Sequence, residues 1–303
     1  MRSPPSGGEF ATMKTEDGTK IRYARWPGEE GKPTIVFLTG LRECIEKHFE
    51  TIEDLQKRGL GVCAMDWRGQ GLSTRPLENP QKLHIDDFDL HVGDLHQFIT
   101  TIIKKKSSGP LYILAHSMGG HIALRYLHDV QQGVDGAILA SPMCDIWTPP
   151  GLRFLFLSVT WMMTCLGFSR AYGMGGSDYG VREFGSNRLT SDQGRFAEFH
   201  QQIAAQPALK MGGPTWGWFR AAWTSVRTLK DEGYLKAIGV PIYAIQAGID
   251  GVVSNRAQNW VFSRLNSAHL FSIEGARHEL LGESDEYRDQ FWALFDRFLE
   301  GCA

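Results

Sequence analysis

The stretch LYILAHSMGG, Leu111 to Gly120, constrains this chain more than any other. A continuous apolar run, LYILAH, leads straight into Ser117 and then into a pair of glycines that open a helical pattern. A serine on a sharp strand-to-helix turn is pushed out of the sheet with its hydroxyl exposed. The residues two positions away on either side must be small, or they collide across the turn. Here they are Ala115 and Gly119. Glycine is usual at the first of these positions. Alanine fits the packing but resists positive φ, so the turn is expected to be made mainly at Ser117 and Gly119. The following GHIALRYLHDV carries apolar residues at Ile122, Ala123, Tyr126, Leu127 and Val130, a helical spacing.

Other apolar runs place this turn in a sheet. TIVFL (34–38), GVCAM within GVCAMD (61–66) and DGAILAS (135–141) are continuous, as strands covered on both faces must be. TKIRYARW (19–26) alternates and reads as an edge strand. Helical spacing predicts helices over 45–58 and 89–105, the second closed by Lys104, Lys105 and Lys106 at the negative end of its dipole. The Gly-rich DWRGQGLS (66–73) matches no phosphate-binding pattern and reads as a structural loop. The pattern breaks between Pro142 and Lys236, which hold apolar helical stretches and no clean strand. It resumes with PIYAIQAG (241–248), a helix near 255–265, HLFSIEG (269–275) and a last amphipathic helix. Alternating strand and helix predict an α/β fold with a mostly parallel, doubly wound sheet, its core at 13–141 and 237–303. Residues 142–236 are expected to form a helical cap inserted in that core.

The first twelve residues, MRSPPSGGEFAT, read as a mobile, vector-derived leader with Met13 as the natural start. They lack the apolar core of a signal peptide, so a cytoplasmic location is expected. FLFLSVTWMMTCLGF (154–168) is shorter than the roughly 20 residues of a membrane span. A net charge of −2 argues against a nucleic-acid partner. The five cysteines are scattered, odd in number and without C-x-x-C spacing, as expected of reduced core residues. No metal-binding spacing occurs among the histidines, and no metal or organic cofactor is implied.

A serine hydroxyl is a weak nucleophile at neutral pH. It needs a base within hydrogen-bond reach, and the base needs an acid to hold its tautomer. Where the serine sits on a strand-to-helix turn, the partners follow in the order acid, then histidine. Asp250 comes just after the strand ending AG, and His278 just after the strand ending EG. Asp145, after the strand ending at Ser141, is a rival acid; the strand of Asp250 lies next to the one feeding His278, which favours Asp250. Two backbone N–H groups must face the developing oxyanion. Met118 follows the serine and Leu41 follows TIVFL, so these two are expected to form the hole. The large apolar groups of the insertion, including Trp161, Met162, Trp216 and Trp218, are expected to line a pocket for an acyl chain.

Together AHSMGG, DWRGQGLS, AGIDGVV and GARHELL resemble the serine hydrolases of the α/β-hydrolase fold. NRLTSDQGRF (187–196) and LKMGGPTWGW (209–218) resemble the cap of the bacterial lysophospholipase L2 group, related to monoacylglycerol lipases. The resemblance implies serine-dependent hydrolysis of carboxylic esters of lysophospholipid or monoacylglycerol type through an acyl-enzyme, and peripheral membrane contact through the cap. The loop TGLRE (39–43) lacks the His-Gly of monoacylglycerol lipases. A small-ester or lactone hydrolase, a cofactor-free perhydrolase and a binding protein on the same fold are the alternatives.

Overall fold

The computed structural model describes residues 2–104, 109–181 and 183–302, and in it the apolar runs form one eight-stranded sheet. The strands are β1 (Glu9–Lys14), β2 (Lys20–Trp26), β3 (Thr34–Leu38), β4 (Gly61–Met65), β5 (Leu111–His116), β6 (Gly136–Ala140), β7 (Ile242–Ala247) and β8 (Ala268–Ile273). Their spatial order is β1-β2-β4-β3-β5-β6-β7-β8. β3 to β8 run parallel, and β1 and β2 are antiparallel additions at one side.

Side chains that alternate along a strand divide between the two faces of a sheet. Val36, Leu38, Ile113 and Ala115 enter one core; Ile35, Phe37, Tyr112 and Leu114 enter the other. The first core is closed by α2 (Asp89–Phe98), α3 (Met118–Asp129) and α8 (Asn255–Phe262); the second by α1 (Phe49–Gln56) and α9 (Asp285–Cys302). Phe291, Phe295 and Phe298 of α9 are fully buried at spacings of four and three. Each such ring contributes about 1.5–3 kcal/mol of burial. This double cover is why the central strands read as unbroken apolar runs.

Two expectations at the amino terminus are corrected together. Residues 9–14 are not a mobile leader: they form β1, paired with β2 from Glu9–Arg25 to Lys14–Lys20. The residues before β1 are tied down as well. The buried Trp26 indole donates to the Pro5 carbonyl at 3.0 Å, and Arg2 pairs with Glu53 at 2.8 Å. β1 takes the edge, so β2 is interior rather than the edge strand expected. The helix at Asp89 passes into a π-helical turn at Ile99–Ile103; Lys105 and Lys106 lie outside the described residues. The loop at 66–73 is structural, with Asp66 accepting from the amides of Ile45 and Leu72 and from Arg22.

Between β6 and β7 the chain forms α4 (Arg153–Cys165), α5 (Gln193–Ala205), α6 (Trp216–Thr228) and α7 (Glu232–Lys236), and no named strand among the described residues. Asp192 and Thr215 cap α5 and α6 by accepting from Arg195 and Trp218 amides. The parallel register aligns Leu38 with Ala115, His116 with Ala140 and Ala247 with Ile273. The loops after β3, β5, β7 and β8 therefore leave the sheet on one side. Those loops carry Leu41, Ser117, Asp250 and His278.

Candidate active site

Ser117 stands between β5 and α3 with φ +52° and ψ −114°. A non-glycine residue there costs on the order of 1–3 kcal/mol, and its surroundings must hold it. They do: its amide donates to the Ala140 carbonyl at 3.0 Å, and its carbonyl accepts from Met143 at 2.9 Å. Ser117 alone makes the positive-φ turn. Gly119 does not share it and is small for another reason, since a Cβ there would lie 2.7 Å from the carbonyl oxygens of Leu38 and Thr39. Gly120 is held in the same way against Pro142, 2.8 Å from where its Cβ would be.

His278 Nε2 lies 2.9 Å from Ser117 Oγ, and its Nδ1 lies 2.7 Å from Asp250 Oδ2. Asp250 Oδ1 accepts from the amides of Val252 at 2.7 Å and Val253 at 3.0 Å. Burial alone would raise the Asp250 pKa, but His278 and these two amides outweigh it and hold the carboxylate below its usual range. The rival Asp145 is turned elsewhere. It pairs with Arg153 at 2.8 Å and accepts from the Ile146 amide. The structure thus brings Ser117, His278 and Asp250 into one hydrogen-bonded chain and leaves Asp145 out. Such a chain can move a proton from a serine to a histidine and steady the resulting imidazolium.

Met118 is the first residue of α3, so its amide has no partner within the helix. On the neighbouring loop the Gly40 amide donates to Glu43 Oε2 at 2.5 Å and the Arg42 amide to Gln70 Oε1 at 2.5 Å. Leu41 lies between them, in the wall of the cavity that holds Ser117. This geometry leaves Met118 and Leu41 amides as candidates to bind an anion beside the serine.

That cavity has a volume of about 610 Å³ and contains Ser117 and His278. Its wall corrects the expected pocket. Trp161, Met162, Trp216 and Trp218 do not line it. Trp161 and Met162 lie on the outer surface of α4, Trp161 67% exposed. Trp216 and Trp218 are buried, and Trp218 packs on Phe88 in the main core with ring centroids 5.9 Å apart. The apolar wall comes instead from α5, through Phe196, Phe199 and Ile203, with Leu41 and Met211. The spacing 196, 199, 203 is a helical stripe, a signal present in the sequence but diluted by polar neighbours.

Sequence reading also missed a polar cluster and a turn. Glu43 and His116 are buried beside the serine, and the largely covered Lys47 reaches both Glu43 at 2.8 Å and Glu279 at 2.5 Å. The turn NRLT (187–190) is fastened to the His278 loop. Arg277 donates to the Asn187 and Thr190 carbonyls, the Glu279 amide to Leu189, and Thr190 Oγ1 to Gly282. Glu283 closes the join by accepting from the amides of Ser191 and Arg277, both at 2.8 Å. Arg188 and Leu189 face the cavity from this turn.

Comparison with known proteins gives the family and the fold. The family described as serine aminopeptidase, S33 matches residues 29–285. The chain is 28% identical over 291 residues to a probable lysophospholipase L2 of Haemophilus influenzae, covering 96% of this chain and 91% of the relative. It is 29% identical over 283 residues to lysophospholipase L2 of Escherichia coli K12, covering 90% and 82%. Among solved structures, a soluble variant of monoglyceride lipase from Saccharomyces cerevisiae superposes with a TM-score of 0.77 at 18% identity, covering 99% of this chain and 98% of that one. A thermostable carboxyl esterase from Bacillus coagulans gives a TM-score of 0.77 at 16% identity, covering 98% and 99%.

Proposed function

The chain belongs to the serine aminopeptidase S33 family of α/β-hydrolases, and on that footing we propose that it hydrolyses carboxylic esters of lysophospholipid or monoacylglycerol type through an acyl-enzyme. The observation that carries this is the hydrogen-bonded chain Ser117–His278–Asp250 at the wall of a 610 Å³ cavity with an apolar side on α5. Ser117 attacks the ester carbonyl. His278 takes its proton and returns it to the leaving alcohol. Asp250 holds His278 in the required tautomer. The Leu41 and Met118 amides bind the oxyanion. Water then releases the fatty acid by the same steps in reverse order. No step calls for a metal.

An ester substrate is favoured over the free amino terminus of a peptide by the carboxylates around the cavity. Glu43, Glu46 and Glu50 are each engaged, by Lys47, Arg22 and Arg195. An incoming ammonium would have to compete with these cations, or with Lys47 at Glu279 and Arg2 at Glu198. Lysophospholipid is favoured over monoacylglycerol by Arg188. It is exposed in the cavity wall, makes no ion pair among the described residues, and runs beside Gly251 with its Cδ 3.8 Å from where a Cβ would stand there. A cation so placed suits a phosphodiester.

Residues 142–236 act as the cap, and α4 is its lipid-facing edge. Phe154 is 81% exposed, and Leu155, Trp161, Met162, Leu166 and Phe168 are exposed with it. An apolar surface of that kind favours contact with the face of a membrane. No helix among the described residues is long and apolar enough to cross one. The cysteines are free, in keeping with the cytoplasm.

The test is Ser117→Ala against glycerol esters and lysophospholipids of matched acyl chain. Activity is expected to fall by about 10⁴ or more. A purified, folded variant with more than a few per cent of wild-type rate would sink the assignment. Arg188→Gln should lower kcat/KM on the lysophospholipid by about tenfold while sparing the neutral glycerol ester, as loss of one charge-assisted bond predicts. Equal loss on both would remove the reason for preferring the phospholipid.

A further inference from the structure

Glu43 is buried directly beneath the oxyanion loop and is ringed by donors. Its Oε2 accepts from the Gly40 amide at 2.5 Å, lies 3.0 Å from His48 Nε2 and 3.1 Å from His116 Nδ1. Its Oε1 takes the Lys47 ammonium at 2.8 Å. The other nitrogen of His116, Nε2, lies 3.2 Å from the main-chain carbonyl oxygen of His278. Both partners of the His116 ring are therefore acceptors, a carboxylate and a carbonyl. A neutral imidazole carries one N–H and would set a lone pair against an oxygen on one side. In a site this buried that mismatch is costly, whereas the imidazolium satisfies both contacts.

We propose that His116 is an imidazolium that acts as a positioning residue, fixing the His278 backbone on one side and, through Glu43, the oxyanion loop on the other, so that loss of its proton sets the alkaline limit of activity. The inference rests on the serine-hydrolase reading of Ser117 and His278. Five titratable groups face one another here. Glu43, Lys47 and His48 come from the turn after β3, His116 from the end of β5, and Glu279 from the loop of His278. The His278 ring itself lies 4.9 Å from that of His116. Burial would strip the proton from His116, but the charge of Glu43 outweighs it and raises its pKa. Burial likewise opposes a charge on Glu43, and His116, Lys47 and His48 overcome it, keeping the carboxylate ionised. Burial lowers the pKa of His48, which serves as a neutral donor. The two acceptors on the ring favour the charged form, which is lost as pH climbs through the raised value. The bond to the His278 carbonyl therefore weakens on the alkaline side.

The experiment is the pH dependence of kcat on a soluble short-chain ester for wild type, Glu43→Gln, Glu43→Asp and His116→Asn, with thermal melts as a check of folding. Wild type should show an alkaline limb. Glu43→Gln should move the alkaline limb to lower pH and cut kcat by about 10- to 100-fold with KM within about threefold, as a displaced but present catalytic group does. Glu43→Asp keeps the charge and should keep the limb near its wild-type position. His116→Asn should abolish the limb. An alkaline limb unmoved in both Glu43→Gln and His116→Asn overturns the proposal. Nitrogen-15 NMR of the wild-type His116 ring at about pH 8 decides the point without variants or turnover. Two N–H signals with imidazolium shifts support the assignment, and one N–H with neutral shifts refutes it. A wild-type protein that hydrolyses no ester would overturn the reading of the site, and the NMR spectrum would still settle the charge on His116.

Discussion

Asp250→Asn puts the hydrogen-bonded chain to its sharpest test, because the structure dictates how the new amide must sit. Asp250 Oδ1 accepts from two backbone amides, Val252 and Val253. In the variant only the carboxamide oxygen can take that place, so the NH2 turns toward His278 Nδ1. That nitrogen now meets a donor at 2.7 Å and must become an acceptor. The ring proton moves to Nε2, which lies 2.9 Å from Ser117 Oγ. The imidazole then offers the serine an N–H where it needs a lone pair. The expected loss is about 10⁴ in kcat, or about 5.5 kcal/mol of barrier. Steady-state turnover of a soluble p-nitrophenyl ester measures it, with a thermal melt to verify folding. Asp145→Asn is the matched control. The Asp145 side chain serves Arg153 and a turn amide, so kcat should change by less than about threefold, as for a side chain outside the hydrogen-bonded chain. A reversed ranking, or an Asp250→Asn variant with more than about a tenth of wild-type kcat, would refute the reasoning.

Trp218→Ala should act on stability rather than specificity, costing about 3–5 kcal/mol as a large buried ring lost from the core. A shifted acyl-chain preference with an unchanged Tm would contradict that placement. The double variant Phe154→Ser, Trp161→Ser should lose binding to phospholipid vesicles and keep its kcat on a soluble ester, since both side chains are exposed on α4 and neither lines the cavity. Undiminished vesicle binding would show that α4 is not the membrane-facing edge.

The sheet and the hydrogen-bonded chain were legible because each rests on a local rule. A strand covered on both faces has no polar residue to interrupt it: in TIVFL and LYILAH, Thr34 and His116 stand at the strand ends, and GAILA has none. Asp250 and His278 each follow a strand in the order that a serine on this kind of turn demands. The pocket was misread for a reason equally physical. Apolarity says that a side chain leaves water, not which apolar place it goes to. Trp218 went to the core and Trp161 to the outer surface, while the cavity took the large apolar residues Phe196, Phe199 and Ile203 of a mostly polar helix. β1 was hidden by its setting, because the alternation in EFATMK is short and follows a run of Pro, Ser and Gly. The Glu43–His116 contact joins residues 73 positions apart, so no spacing rule could reveal it.

The fastening of the NRLT turn to the loop of His278 bears on how such enzymes can be re-engineered. Caps are attractive parts to exchange between relatives, on the view that the sheet supplies chemistry and the cap supplies selectivity. In this chain the boundary does not fall where the insertion ends. Arg277, Glu279 and Glu283 lie after β8, yet their bonds run to residues 187–191. A chimera that imports a foreign helical segment alone would leave Arg277 and Glu283 without the partners they have at 187–191, in the first case one residue from His278. The transferable unit is discontinuous: residues 142–236 together with 277–283.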